Sequence, residues 1–125
     1  MSERNVILVV DDEALVRIVL VEMLADAGHG TLEASSAAEA IVILEEHPEI
    51  KVVFTDVQMP GTMDGVELAR YVRRRWPPTI IVVSSGKMIP RQGDLPDDIA
   101  FLPKPFDRRK LGHILAGVAS RLAEL

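Results

Sequence analysis

Short apolar runs alternate with amphipathic stretches along this chain. Val6–Val10 is a continuous apolar run, typical of a strand that is covered on both faces of a sheet. Residues 14–27 repeat apolar positions at helical spacing and are followed by Gly28, which predicts a helix that ends there. The same alternation predicts further strands and helices: strands at 31–34, 52–55, 79–84 and 99–102, and helices at 36–44, 66–75 and from Asp107 onward.

Strand–helix alternation of this kind predicts an α/β fold with a parallel sheet, helices on both faces and right-handed crossovers. The pattern is weakest at 87–98, where Pro90, Gly93 and Pro96 favour a loop with at most a short or irregular fourth helix. No repeat, low-complexity tract or linker divides the chain, so residues 1–125 are expected to form a single domain.

The composition narrows the class of protein. With 48% hydrophobic and 26% charged residues the chain is globular, and without cysteine it has neither disulfides nor a thiolate site. A net charge of −5 argues against a general nucleic-acid binder. Neither a signal peptide nor an apolar run of membrane-spanning length is apparent, and a cytoplasmic location is expected.

Charged and hydroxyl residues follow nearly every long predicted strand at its carboxyl end. Asp11 and Asp12 follow the first strand, Asp56 the third, Ser84 the fourth and Lys104 the fifth. The carboxyl ends of parallel strands share one edge of the sheet, where ligands of such folds bind. Clustered carboxylates without Cys or His fit Mg²⁺, or Mn²⁺ as a similar hard cation. The alternative is that these acids only cap the helices that follow, which is the weaker interpretation for four separate strand ends.

Such an edge has the groups that a phosphoryl acceptor needs. Asp56 is a carboxylate nucleophile, and a cation together with Lys104 would offset charge on the transferring phosphoryl oxygens. The Ser84 hydroxyl would then hydrogen-bond the new phosphate and be drawn toward it.

Four segments resemble the receiver domain of two-component response regulators. They are VVDDE (9–13), TDVQMPGTMDG (55–65), VVSSG (82–86) and FLPKPF (101–106), and they span essentially the whole chain in the order found in that family. The resemblance implies a flavodoxin-like sheet with strand order 2-1-3-4-5. It also implies a bacterial phosphorelay, in which a sensor histidine kinase or a histidine phosphotransfer protein donates the phosphoryl group.

The resemblance implies a role for each residue that would contact the phosphoryl group. Asp56 corresponds to the phosphoacceptor and Lys104 to the family's lysine. Ser84 and Phe101 correspond to the two switch residues, and Phe101 replaces a frequent tyrosine, so it offers no hydroxyl. The Lys104–Pro105 peptide is expected to be cis.

The resemblance likewise implies a magnesium site. Its ligands would be Asp12, Asp56, the backbone carbonyl of Gln58 and, through water, Asp11. The loop after Asp56 reads MPGTMDG and is one residue longer than the commonest form of the family.

The first helix has a second apolar stripe, expected opposite its core-facing residues, that consists of Ala14, Ile18, Val21 and Ala25. Such a stripe on a surface helix is either a docking site or a set of scattered surface aliphatic residues. The first helix of receivers faces the kinase or phosphotransfer protein. Docking is therefore the preferred interpretation for Ala14, Ile18 and Val21.

Three functions are compatible with these residues. The first is a signalling switch, not an enzyme, that promotes its own phosphorylation and dephosphorylation and acts on an unknown downstream protein. The second is a phosphatase of the haloacid dehalogenase type, although DDEAL lacks the second aspartate of that class. The third is a receiver-like interaction module that is not phosphorylated. The chain is expected to be a monomer or weak dimer without nucleic-acid or membrane partners, and either a stand-alone regulator or part of a larger protein.

Overall fold

The computed structural model describes residues 6–86 and 98–124, which contain five strands and four helices. In chain order the elements are β1 (Val6–Val10), α1 (Ala14–Asp26), β2 (Gly30–Ala34), α2 (Ala37–Glu46), β3 (Ile50–Asp56), α3 (Gly65–Arg75), β4 (Ile80–Ser85), β5 (Ala100–Pro103) and α4 (Arg108–Leu122). The strands form one sheet in the order β2-β1-β3-β4-β5, and the four pairings between neighbours are parallel. The predicted fold class and strand order are therefore confirmed.

The predicted strands and helices within this part of the chain are confirmed, with small shifts at their ends. The expected stop at Gly28 is also confirmed, because this glycine has a φ of 93°, in the left-handed region that favours glycine. The predicted short or irregular fourth helix lies almost entirely within 87–97, outside the described residues.

The sheet separates two hydrophobic core clusters, because successive strand residues point to opposite faces. On β3, Val53 packs with α2 and α3 in one cluster, whereas Val52 and Phe54 pack with α1 and α4 in the other. All three side chains are at most 2% exposed. Burial on both faces is what the continuous apolar runs of the strands predict.

Helix α1 packs on the sheet through Leu20 and Leu24, which are one turn apart and buried. Val21 is partly buried and packs against the same core cluster, so its expected position on the face opposite the core is wrong. The buried arc of α1 is wide enough to include the residue beside Leu20. Ala14 and Ile18 are exposed as expected, with Ile18 at 48%.

Side-chain caps define the starts of three helices. The Ser36 hydroxyl accepts a hydrogen bond from the Glu39 N–H, and the Asp107 carboxylate accepts one from the Lys110 N–H. Asp64 begins α3 with a reciprocal capping box that includes Glu67. These caps satisfy backbone donors that a helix start leaves unpaired. None of the described helices has the length and apolar character that would span a membrane.

Candidate functional site

The predicted strand ends converge at the carboxyl edge of the sheet. Asp11 directly follows β1, Asp56 is the last residue of β3, and Lys104 directly follows β5. Ser84 lies in β4 and is the register partner of Asp56 on β3. The strand order explains this convergence, because β1, β3, β4 and β5 are consecutive neighbours in the sheet.

A lysine bridges two buried carboxylates at this edge. Lys104 Nζ lies 3.1 Å from Asp11 Oδ2 and 3.2 Å from Asp56 Oδ1. Only 7% of the Asp11 side chain and 9% of the Asp56 side chain are exposed, so both carboxylates need a compensating charge. The ammonium group supplies that charge and fixes the two acids relative to each other.

The pKa values of Asp56 and Lys104 reflect burial and the charges around them. Burial raises the pKa of Asp56, and the neighbouring Asp11 charge adds to this, while Lys104 opposes both. For Lys104, burial alone would lower the pKa, but hydrogen bonds and charge from Asp11 and Asp56 outweigh it and raise the pKa. The site thus holds a firmly charged ammonium beside a carboxylate whose ionised form is destabilised by its surroundings.

Three acids form a cluster that suits a hard cation. Asp11, Asp12 and Asp56 each offer a carboxylate oxygen, and these oxygens all lie within 4.8 Å of one another. Both oxygens of Asp11 have partners, since Oδ1 accepts from the Glu13 N–H at 2.9 Å and Oδ2 from Lys104. Asp12 is exposed, and within the described residues its side chain has neither a hydrogen bond nor an ion pair. An all-oxygen donor set with an open carboxylate fits Mg²⁺ or Mn²⁺.

Ser84 has a buried hydroxyl that has no hydrogen-bond partner among the described residues. Its relative exposure is 6%, and its Oγ makes no hydrogen bond to any described residue. Buried hydroxyls are normally paired, so one without a partner among the described residues, next to the Asp56 carboxylate, suggests a ligand-binding role.

Gln58 and Phe101, which the sequence also predicted for this site, lie outside the cluster. Gln58 is exposed in the loop after β3, where it lines a shallow cleft together with Asp12 and Asp64. Phe101 is half-buried on β5 and packs against the core cluster of α2 and α3. The Lys104–Pro105 peptide is cis, as predicted.

Gly65 is a site residue that the sequence reasoning missed. A Cβ placed on Gly65 would lie 1.8 Å from the backbone oxygen of Asp56, a distance that no real side chain allows. The Gly65 N–H also donates to the Val57 carbonyl at 2.8 Å, so the start of α3 lies directly against the end of β3. In the longer loop between these elements, Gly61 has a φ of 103°, which glycine adopts readily. The spacing from Asp56 to a glycine at a helix start was the available signal.

An apolar cleft opens beside the acidic cluster. Leu15, Val19 and Met23 of α1 line one side, and Pro105 and Phe106 after β5 line the other. Leu15 is 80% exposed and Val19 is 49% exposed. Lys104 also lines this cleft. Neither Leu15 nor Val19 belongs to the stripe predicted from the sequence, which lies further round the helix.

Comparison with known proteins identifies the family. The sequence model described as response regulator receiver domain matches residues 7–116. The chain belongs to this family. Receiver domains are signalling domains of two-component systems that interact with histidine kinases and downstream effectors, which favours the switch over the phosphatase among the expected functions.

Curated relatives and solved structures agree with this assignment. The sensor kinase CckA of Brucella abortus (strain 2308) is 37% identical over 115 residues, which cover 89% of this receiver and 12% of that protein. The transcriptional regulatory protein PdtaR of Mycobacterium tuberculosis (strain H37Rv) is 32% identical over 124 residues, which cover 95% of this receiver and 58% of that protein. The chain thus spans only part of the length of these curated relatives.

Among solved structures, a response regulator receiver protein from Sinorhizobium medicae WSM419 is similar to this receiver with a TM-score of 0.85 and 31% sequence identity. The similarity covers 97% of this chain and 96% of that one. The fold is therefore shared along nearly the whole length of both chains.

Proposed function

We propose that this chain is a single phosphoacceptor receiver domain that takes a phosphoryl group on Asp56 from a phosphohistidine of a sensor kinase or histidine phosphotransfer protein. The observation that supports this most directly is the contact of Lys104 Nζ with both Asp11 and Asp56, beside the Ser84 hydroxyl, which has no partner in the part of the chain that the structure describes. These groups surround one carboxylate with the charges and donors that an acyl phosphate needs. The proposed location is the bacterial cytoplasm.

The proposed reaction is a direct displacement at phosphorus. A carboxylate oxygen of Asp56 attacks the phosphorus atom, the phosphorus–nitrogen bond to the donor imidazole breaks, and its electron pair returns to that imidazole. Lys104 is 3.2 Å from Asp56 Oδ1 and carries a firm positive charge, so it is placed to stabilise negative charge on the phosphoryl oxygens. Hydrolysis of the acyl phosphate by water would restore the carboxylate.

The acidic cluster is the proposed magnesium site. Asp12, Asp56 and the Gln58 carbonyl would hold Mg²⁺ or Mn²⁺ directly, and Asp11 would act through water. This assignment is supported by the Asp12 carboxylate, which has no partner among the described residues, and by the hydrogen bond that each oxygen of Asp11 already accepts. When bound, the cation supplies positive charge that offsets the charge on the carboxylates and the incoming phosphoryl group.

Ser84 and Phe101 are the proposed switch. A phosphoryl group on Asp56 would offer acceptor oxygens to the Ser84 hydroxyl, which has no partner in the described residues. Movement of Ser84 toward Asp56 would alter the space beside β4, and the half-buried Phe101 on the neighbouring β5 would follow inward. The resulting change of surface is what an unknown downstream protein would recognise.

The proposed docking surface for the kinase combines α1 with the segment after β5. Ala14 and Ile18 are proposed to contact the kinase, as predicted from the sequence. The exposed Leu15 and Val19, which line the cleft beside Lys104, are proposed to belong to the same surface. An exposed apolar cleft that opens next to the acceptor carboxylate allows a donor helix to bind while its phosphohistidine reaches Asp56.

The test is the intact mass after incubation with MgCl₂ and acetyl phosphate, with Asp56→Asn as the control. We expect the wild type alone to gain the mass of one phosphoryl group. If the folded wild type neither gains that mass nor binds Mg²⁺, the phosphoacceptor proposal is wrong and the receiver-like interaction module remains. Multiple turnover of a phosphomonoester would instead indicate a phosphatase.

A further inference from the structure

Arg17 connects the acidic loop to the neighbouring strand β2. Its Nη1 donates a hydrogen bond to the backbone carbonyl of Asp11 at 2.7 Å, and its Nε donates to Glu33 Oε1 at 2.9 Å. Only 19% of the Arg17 side chain is exposed, so most of the side chain is covered by the protein. None of the proposed steps at Asp56 uses this residue.

The carbonyl that Arg17 holds belongs to the peptide between Asp11 and Asp12. The Asp11 N–H still donates to Ala34 of β2 at 3.1 Å, but beyond this bond the chain leaves the sheet. The orientation of the next peptide therefore depends on its other contacts. Asp12 projects from that peptide, and its carboxylate has no hydrogen bond or ion pair of its own among the described residues.

Charge balance also favours this arrangement. An arginine near a cation site would repel the cation if its charge were unpaired. Here the Nε contact with Glu33 offsets that charge, while Nη1 remains bonded to the carbonyl. A charged donor on a neutral carbonyl makes a stronger hydrogen bond than a neutral donor does.

We propose that Arg17 is a positioning residue for the magnesium site, which fixes the Asp11–Asp12 peptide so that the Asp12 carboxylate points into the acidic cluster. This inference rests on the proposed function, because it assumes that the cluster binds Mg²⁺. Outer groups that orient metal ligands change metal affinity by about 10–100-fold when they are removed. Arg17→Ala is expected to weaken Mg²⁺ binding by about tenfold, within that range.

The experiment is calorimetric titration of the full chain with MgCl₂ at a temperature far below thermal unfolding. The variants are Arg17→Ala, Arg17→Lys and, as a matched control, Arg121→Ala. Arg121 also donates to a backbone carbonyl, that of Asp98 at 2.8 Å, and also approaches a carboxylate. Its partner Asp98 lies before the start of β5, whereas the acidic cluster lies at the carboxyl ends of the strands. We expect Arg17→Lys to recover part of the affinity, because an ammonium still donates to the carbonyl, and Arg121→Ala to bind as the wild type does.

A second readout separates positioning from general damage to the fold. The rate of phosphorylation by acetyl phosphate is measured as a function of MgCl₂ concentration. Arg17→Ala is expected to raise the MgCl₂ concentration needed for the half-maximal rate. The rate at saturating MgCl₂ is expected to stay within about twofold of the wild-type rate.

Each result decides between the proposals. If the wild type binds Mg²⁺ and Arg17→Ala binds it equally well, the positioning role is wrong while the proposed function stands. If Arg121→Ala weakens binding as much as Arg17→Ala, the effect is one of overall stability and the inference fails. If the wild type does not bind Mg²⁺, the proposed function fails and this inference fails with it. If Arg17→Ala does not fold, Arg17→Lys alone decides. A thermal stability and an Mg²⁺ affinity of Arg17→Lys that both equal those of the wild type would overturn the role of the guanidinium.

Discussion

Ser84 lies directly beside Asp56 as its register partner on the neighbouring parallel strand, and its buried hydroxyl makes no hydrogen bond within the described residues. An unpaired buried hydroxyl costs stability, because the group has lost its water without gaining a partner. Under the proposed function this cost has a purpose, because the hydroxyl would remain available for the phosphoryl group proposed to arrive on Asp56.

Replacing Ser84 by alanine is therefore expected to raise the free energy of unfolding of the unphosphorylated protein, by about 1 kcal/mol. Phosphorylation by acetyl phosphate should persist, but the NMR shift changes that accompany it on β4 and β5 should shrink. Urea unfolding gives the first quantity, and spectra with and without phosphodonor give the second.

Thr55→Val is the matched control for Ser84→Ala. The Thr55 hydroxyl is also buried in the sheet, but it donates to the Asp56 carbonyl at 3.0 Å. Its loss should lower stability by about 1 kcal/mol, the opposite sign. If both substitutions destabilise the protein equally, the Ser84 hydroxyl has a hydrogen-bond partner in solution and is not available for a phosphoryl group.

Gly65→Ala should be among the most damaging small substitutions in the chain. A Cβ at this position would overlap the Asp56 carbonyl, so α3 would have to move away from the end of β3. We expect a loss of about 3 kcal/mol of stability and slower phosphorylation, because the displaced loop carries Gln58. Gly112→Ala on α4, where a Cβ meets nothing within 4 Å, should instead stabilise the protein by about 0.5–1 kcal/mol. Equal urea midpoints for the two variants would contradict the close approach.

The raised pKa of Asp56 predicts how stability depends on pH without divalent cations. The native state holds the Asp56 proton more tightly than the unfolded state does, mainly because the carboxyl is buried. The protonated Asp56 carboxyl therefore stabilises the folded state in acid. This contribution to stability is lost as the pH rises from the ordinary pKa of 3.8 through the raised pKa of the folded state. Asp56→Asn should thus be more stable than the wild type at pH 7 in EDTA, and this advantage should shrink toward pH 3.5.

Asp107→Asn is expected to change stability at pH 7 in the opposite direction to Asp56→Asn, and it serves as the control for that pH series. The hydrogen bond from the Lys110 N–H lowers the pKa of Asp107, so its contribution is present above the ordinary value and is lost as pH falls through the lowered one. Asp107→Asn should therefore be less stable than the wild type at pH 7. Parallel pH profiles for the two variants, measured by urea unfolding, would show that the Asp56 effect is not specific to its buried site.

Much of this site could be predicted from the sequence, because parallel strands bring their carboxyl ends to one edge. That rule alone places Asp11, Asp56 and Lys104 together, whereas the strand order came from the family resemblance. Gly65 and Arg17 were not predictable in the same way. The role of each depends on a contact with a backbone carbonyl, which the pattern of side chains does not show directly; for Gly65 the only signal was its spacing from Asp56.

The sequence pattern also could not predict which face of α1 packs on the sheet. Aliphatic residues occur nearly all round this helix, so the pattern allows several faces to be buried. Packing selects the arc around Leu20 and Leu24, which partly buries Val21 and leaves Leu15 and Val19 beside the segment after β5. The proposed docking surface is therefore displaced from the stripe that the spacing predicted, toward the cleft beside Lys104.

Leu15→Asp tests that displaced surface. Leu15 is the most exposed large apolar side chain in the described residues, and it lines the cleft next to Lys104. A carboxylate there would oppose burial against a kinase helix but would not touch the acceptor site. Two phosphorylation rates are compared: the rate with a histidine kinase of the source organism, chosen as the one that phosphorylates the wild type fastest, and the rate with acetyl phosphate. The ratio of the first rate to the second should fall about tenfold. Val42→Asp on α2 is the matched control, since Val42 is 54% exposed and lies outside the cleft, and it should leave the ratio unchanged. Equal falls for the two variants, or none for Leu15→Asp, would place the kinase on another face.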